Sequence, residues 1–397
     1  MDMSINFDRH IDRKSTSDLK WHTSLVKGYL NVDISEDMIP MWLADTDFAC
    51  APCIQKALHD RVDKEIYGYC APMKPFYDAV CWWQKERFGV ETDPSWITMC
   101  PTVVSSINVA IRAFTNEGDG VIIQQPVYDP FATIVKRTKR RVVDNGLKLE
   151  NGRYVMDYEL LEQQASDPNT KMIVLCSPHN PVGRVWEKEE LKRLCEICVR
   201  NHVLIVSDEI HADIVYEGHV HTSILNVDPA YRDQMILLSA PGKTFNIPGL
   251  KTGYAIIPDK DLHHAFNETQ LDMSLDVRNT FALEGLQAAY SPDGEAWMKE
   301  ELAYLQHNVE VIKNFLKDEM PEVTMIEPEG TFLCWLDFKK LGYSDQELMK
   351  RIIIDAAVVC VPGPWFGNGG QQHLRLNIGV PTDLLLEALN RIKTAIQ

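Results

Sequence analysis

The chain has 397 residues, 45% of them apolar and 24% charged, enough for a large core and, by length, for two domains of a globular protein. Its 57 acidic and 40 basic side chains leave a net charge of −17, which argues against nucleic acid as a partner but not against a small phosphorylated molecule held by local backbone N–H groups. There is no apolar run long enough to predict a transmembrane helix, the charged N-terminus lacks the apolar region of a signal peptide, and ten scattered cysteines fit a reducing cytoplasm better than a disulfide framework.

Residues 1–45 show little periodicity up to Met38-Ile39-Pro40-Met41-Trp42-Leu43-Ala44-Asp45, and are expected to wrap over another domain with Trp42 as an anchor. A helix is predicted over 51–59, with Pro52 tolerated in its first turn. Tyr67-Gly68-Tyr69-Cys70-Ala71-Pro72 reads as a loop, and 76–88 as an amphipathic helix that packs Trp82 and Trp83. A strand over 96–100 runs through a turn at 101–104 into a helix over 105–114. Such a helix start leaves free N–H groups and a positive dipole end, which suits a phosphate, with Thr102 as the cap. The strand 121–123 leads to Tyr128, at a strand's carboxyl end, where an aromatic ring can stack on a planar ligand. Another strand begins at Arg141; 146–153 reads as a surface loop and 158–164 as a helix. The buried strand 172–176 ends in Ser177-Pro178-His179-Asn180-Pro181-Val182-Gly183, whose prolines and glycine fix the backbone around Asn180.

After a helix over 187–201, two short apolar runs follow without alternation, as buried parallel strands require. Val203-Leu204-Ile205-Val206 ends in Ser207-Asp208-Glu209-Ile210-His211, and Met235-Ile236-Leu237-Leu238 ends in the Ser239 to Asn246 stretch that carries Lys243. The stretch 252–257 follows closely enough to be an antiparallel return strand. The alternation from about 90 to 257 predicts a mostly parallel sheet covered by helices on both faces. Helical stretches at 262–290 and 295–319 come next, then an α+β unit with strands at 331–336 and 374–377 and helices near 344–357 and 382–396. The expected division is a large domain over 51–290 and a small α+β domain made of 1–50 and 291–397.

In open α/β sheets ligands bind at the carboxyl ends of the strands. There, one strand delivers a lysine and its neighbour an acid. That pairing points to pyridoxal 5'-phosphate (PLP), whose aldehyde needs an amine and whose pyridine nitrogen needs a carboxylate. Lys243 and Asp208 are the candidates; Asn180 and His211 lie at the sheet edge where the ring's phenolic oxygen needs a donor, and the turn from Thr102 to Val104 offers N–H groups for the phosphate. An amino-acid substrate needs a bidentate arginine for its carboxylate, and Arg375, inside Leu374-Arg375-Leu376, is the best candidate.

The ordered series Tyr69, Tyr128, Ser177-Pro178-His179-Asn180-Pro181, Asp208-Glu209-Ile210-His211, Lys243 and Arg375 resembles fold-type I PLP enzymes of the aminotransferase class I/II superfamily over nearly the whole chain. Within that class, Phe7-Asp8 through Lys20-Trp21, Met41 through Phe48, the Ser207 to Asp213 stretch and the Lys243 to Leu250 stretch are similar to MalY/PatB-type cystathionine β-lyases, also called C–S lyases. His211 stands where most aminotransferases carry a tyrosine. The resemblance implies that Lys243 binds the cofactor aldehyde and shuttles the Cα proton, and that Asp208 holds the pyridine nitrogen, Asn180 the phenolic oxygen and Tyr128 the ring face. Val103 and Val104 would hold the phosphate, joined by Tyr69 of a second subunit in a homodimer. Arg375 would clamp the substrate carboxylate with Asn180 and the backbone near Ala44. Ser239 and Lys251 complete the expected cofactor shell. Two departures stand out: this branch often has serine directly before the lysine, where this chain has Gly242, and many relatives have arginine eight residues after it, where this chain has Lys251.

The implied reaction is α,β-elimination from L-cystathionine or a related cysteine S-conjugate to a thiol, pyruvate and ammonia. An aminotransferase on the same scaffold and a PLP-binding regulator acting through protein contacts are the alternatives; a keto-acid requirement separates the first from a lyase. No metal site is expected. Cys50 and Cys53 share CxxC spacing with Cys195 and Cys198, but the second pair falls on the apolar side of a helix and no loop supports tetrahedral ligation. His219 and His221 read as a solvated strand pair, and the basic run 136–141 as a solvated helix end.

Overall fold

The short apolar runs of the first two-thirds of the chain become neighbours in one sheet, because strands covered on both faces can hide a continuous Val/Ile/Leu run only in a sheet interior. The computed structural model describes residues 5–397. Its main sheet has seven strands in the spatial order Ile97–Cys100, Gly253–Ile256, Met235–Ser239, Leu204–Asp208, Thr170–Cys176, Gly120–Ile123 and Arg141–Asp144. Pairing is parallel from Met235–Ser239 across to Arg141–Asp144. Gly253–Ile256 is the antiparallel return strand, and it lies between two strands instead of at an edge. The register sets Asp208 beside Cys176 and Leu238 beside Asp208, so the acid-bearing and lysine-bearing strands end together.

A second, antiparallel sheet joins Thr324–Ile326, Leu333–Asp337, His373–Asn377 and Val361–Pro362. A separate two-stranded parallel sheet pairs Ile39–Pro40 of the N-terminal segment with Val358–Val359, and Trp42, two residues on, is buried as an anchor.

Several expectations change. The predicted surface loop over 146–153 contains a two-stranded hairpin, Lys148–Glu150 with Arg153–Val155. The single helical stretch over 262–290 is two helices, Lys260–Asp272 and Thr280–Ala289, the first ending beside Ser274 in the left-handed region. The unpatterned N-terminal segment holds a helix, Thr23–Leu30, which buries only Thr23, Val26 and Leu30 and so shows a weak apolar stripe. Trp83 packs as expected, stacked 4.7 Å from the Tyr290 ring. In the basic run, Lys136 and Arg137 are exposed at a helix end, but Arg140 turns inward and donates to Thr115 Oγ1 at 2.9 Å. Cys195 and Cys198 are buried within the helix Lys188–Arg200, while Cys50 and Cys53 sit half-buried at another helix start.

The His219/His221 reading is corrected for one of the pair. His219 is exposed, but His221 is buried with Nε2 3.0 Å from Glu209 Oε2. Glu209 Oε1 accepts from Ile224 N at 2.8 Å and Ser207 Oγ at 3.0 Å. That buried carboxylate ties the loop after the acid-bearing strand to the loop over 221–224. Glu209→Ala leaves three donors without an acceptor and is expected to lower stability by about 3–5 kcal/mol, read from the denaturation midpoint at pH 7.

Candidate active site

A cavity of about 200 Å³ opens at the carboxyl ends of the parallel strands, lined by Ala44, Pro101, Thr102, Val103, Val104, Tyr128, Cys176, Asn180, Asp208, Ile210, His211, Ala240, Gly242, Lys243, Pro248, Lys251 and Thr252. Ten of the residues singled out from the sequence share this wall. Three stand off it. Arg375 is one side chain behind, donating from Nη1 to Asn180 Oδ1 at 3.1 Å and from Nη2 to the Trp42 carbonyl at 2.7 Å. Ser239 turns its hydroxyl onto the Glu209 carbonyl at 3.3 Å. Tyr69 is fully exposed, at 112% of its reference area, in the loop before the helix Lys74–Phe88.

Strand ends and helix starts supply the polar groups. The helix after the first sheet strand begins at Val103, two residues earlier than the pattern suggested, because Thr102 caps it by accepting from Ser105 N at 3.0 Å. Val103 and Val104 are therefore the first helical residues, whose N–H groups have no intrahelical acceptor. Thr102 Oγ1 is committed to the cap. Tyr128 is held against the neighbouring loop by its N–H, which donates to the Asn180 carbonyl at 3.1 Å.

Burial dominates the electrostatics. Asp208 is buried and accepts one backbone hydrogen bond, from Ile210 N at 3.1 Å; desolvation raises its carboxyl to about 7, with Lys243 opposing. Desolvation lowers the Lys243 amine to about 8, with Asp45 opposing. Desolvation also pulls Arg375 down to about 10, still a cation at neutral pH, raises Tyr128 to about 12, and takes His211 well below the usual imidazole range, so that its ring is neutral. Buried atoms around the cavity without a hydrogen-bond partner include His211 Nδ1, Arg375 Nε and Thr252 Oγ1. Buried polar groups are ordinarily satisfied. A singly bonded carboxylate, an amine brought near neutral pH, unpartnered donors and a helix start with free N–H groups fit a pyridine nitrogen, an aldehyde, a phenolic oxygen and a phosphate.

The segment 42–48 forms one rim of the cavity and is held carbonyl by carbonyl. Trp42 O accepts from Arg375, Leu43 O and Asp45 O from Asn377 Nδ2 at 2.6 and 2.7 Å, Ala44 O from Lys243, and Thr46 O and Phe48 O from Asn246 Nδ2 at 2.9 and 2.8 Å. Asp45 and Asp47 are bound from the N-terminal arm by Arg13 and Lys20. Asn377, Asn246 and Thr252 were missed from the sequence. Asn377 was findable, since it lies two residues from Arg375 on the same face of a strand; Asn246 and Thr252 have no such signal.

This cavity, at the end of a mostly parallel seven-stranded sheet and beside a second antiparallel sheet, defines a class of protein. The aminotransferase class I and II family profile matches residues 43–392, and the chain belongs to that family. Among its relatives, it is 39% identical to the cystathionine β-lyase PatB of Bacillus subtilis, over 99% of this chain and 100% of that protein. Among solved structures, it is similar to cystalysin from Treponema denticola, which contains a pyridoxal 5'-phosphate cofactor, with a TM-score of 0.94 and 31% identity over 99% of both chains. It is also similar to the PLP-bound C–S lyase of Staphylococcus hominis, with a TM-score of 0.91 and 29% identity over 100% of this chain and 99% of that one.

Proposed function

We propose that this protein is a PLP-dependent C–S β-lyase that converts L-cystathionine or a related cysteine S-conjugate, with one water, to a thiol, pyruvate and ammonia. The observation that carries the reading is the meeting of Lys243 and Asp208 in one small buried cavity, in a chain alike over its full length to a cystathionine β-lyase. Bound PLP supplies an electron-accepting ring for the pair left on Cα when its proton is removed.

In this reading Lys243 would anchor the cofactor aldehyde, and its amine would take the Cα proton. Desolvation favours that role, since a base that has to be neutral near pH 8 works poorly with an ordinary lysine pKa. Asp208 would hold the ring nitrogen, Asn180 and His211 would serve the phenolic oxygen, and Tyr128 would pack on the ring. Val103 and Val104 hold the phosphate with Lys251 nearby. Arg375, already oriented by Asn180 and Trp42, clamps the substrate carboxylate beside Ala44. Cβ then loses its thiolate.

The same reading joins residues 1–50 and 291–397 as a small domain beside a large one, 51–290; the Ile39–Pro40 pairing with Val358–Val359 supports it. It also takes the protein as a cytoplasmic homodimer. Tyr69 points to solvent in its own subunit, as a residue does that completes a neighbour's phosphate site. No helix among the described residues is long and apolar enough to cross a membrane.

The test is pyruvate release from L-cystathionine with no keto acid present. Steady release is expected. Turnover that starts only when a keto acid is supplied would overturn the lyase reading in favour of transamination.

A further inference from the structure

We propose that Thr252 is a phosphate-binding residue of the cofactor site, and that its hydroxyl takes over from the serine expected before Lys243, where this chain has Gly242. This rests on the PLP reading above and concerns how this chain meets the phosphate.

Thr252 is 95% buried, lines the cavity, and its Oγ1 has no hydrogen-bond partner. A buried hydroxyl without a partner is uncommon, because burial removes the water that would otherwise satisfy it. Its position explains what the partner is. Gly253, the next residue, pairs with Cys100, the last residue before the turn that starts the Val103–Phe114 helix. The approach is close: a Cβ on Gly253 would lie 3.7 Å from Val103 N. On the other side Tyr254 pairs with Ser239, and continuing that register by two residues sets Thr252 beside the Pro241-Gly242 turn. Thr252 thus stands between the helix N-terminus and the lysine-bearing loop, the two elements that bracket an anion.

Two other hydroxyls of these strand ends and turns are engaged. Thr102 Oγ1 caps the helix and Ser239 Oγ is on the Glu209 carbonyl. Gly242 offers none. Lys251, in the left-handed region at φ 56°, adds a positive charge next to Thr252. The free helix N–H groups, one free buried hydroxyl and one lysine make a phosphate site with a different donor set from the serine-plus-arginine pattern.

The experiment titrates full-length apoprotein with PLP and, in parallel, with pyridoxal, which lacks the phosphate, following binding by protein fluorescence. Thr252→Val keeps the shape and removes the hydroxyl. It is expected to weaken PLP about tenfold, the scale of one hydrogen bond to a charged group, and to leave pyridoxal unchanged. Thr252→Ser is expected to restore PLP binding. PLP bound equally well by Thr252→Val overturns the proposal, as does an equal loss for both ligands, which would mark a structural role. If wild-type apoprotein binds neither ligand, the cofactor reading itself falls, a result distinct from both.

Discussion

Replacing Lys243 with alanine is expected to end pyruvate release from L-cystathionine. In the proposed reading the amine has two duties, holding the cofactor aldehyde and taking the Cα proton, and among the described residues the other amine on the wall is that of Lys251. Loss of proton transfer alone is worth about 100- to 10,000-fold. A rate within tenfold of wild type would refute the assignment. The same amine predicts a pH profile for cofactor uptake. Only its neutral form attacks an aldehyde, and burial sets its pKa near 8. PLP attachment to apoprotein is therefore expected to quicken as pH rises toward 8, flatten above it, and slow about tenfold per pH unit below it. A midpoint near the ordinary lysine value of about 10.4 would show that the amine is not desolvated.

Asp208→Asn is expected to lower turnover roughly 100- to 1,000-fold while leaving the apoprotein at least as stable as wild type, the scale being that of one removed electrostatic partner of a developing charge. The two halves come from one fact. Asp208 is buried with a single backbone hydrogen bond, so its charge is poorly supported until a cation arrives. A carboxyl whose folded pKa is raised from 3.8 to about 7 binds its proton more tightly in the folded state. Apoprotein stability therefore falls as pH rises from about 4 to 7, and the deficit persists above it. Asparagine keeps the acceptor for Ile210 N and removes the unsupported charge, so at pH 8 the variant apoprotein should melt higher. Turnover near wild type would remove Asp208 from the cofactor site; a lower melting temperature would mean that the carboxylate has a structural partner.

The lysine and acid were legible because the chemistry marks the chain twice: an unbroken apolar run says buried parallel strand, and a polar residue at its carboxyl end says ligand side. Cys176, Asp208 and Leu238 fall side by side through strand register, which local pattern does not encode. The sequence misread places where one short signal has two meanings. His221 follows exposed His219 and Val220 in a polar stretch, yet it is drawn inward by Glu209, which is far from a surface partner once its strand is central. The hairpin around Asn151 and Gly152 looked like loop because its Lys148–Glu150 strand is exposed throughout and has no buried face to pattern.

Residue order by itself determined where the main sheet strands run and marked the lysine, the acid and the arginine as candidates, since each is written in hydrophobic pattern and residue type within a few positions. Tertiary structure alone decided how the rim at 42–48 is held, with Arg375, Asn377, Lys243 and Asn246 each arriving from segments some two to three hundred residues away to capture carbonyls. It also decided that Thr252 is buried without a partner between two turns. Backbone carbonyls are the same in every residue and a threonine looks the same exposed or buried, so neither has a sequence signature; only the packing of distant segments against one another gives them a role.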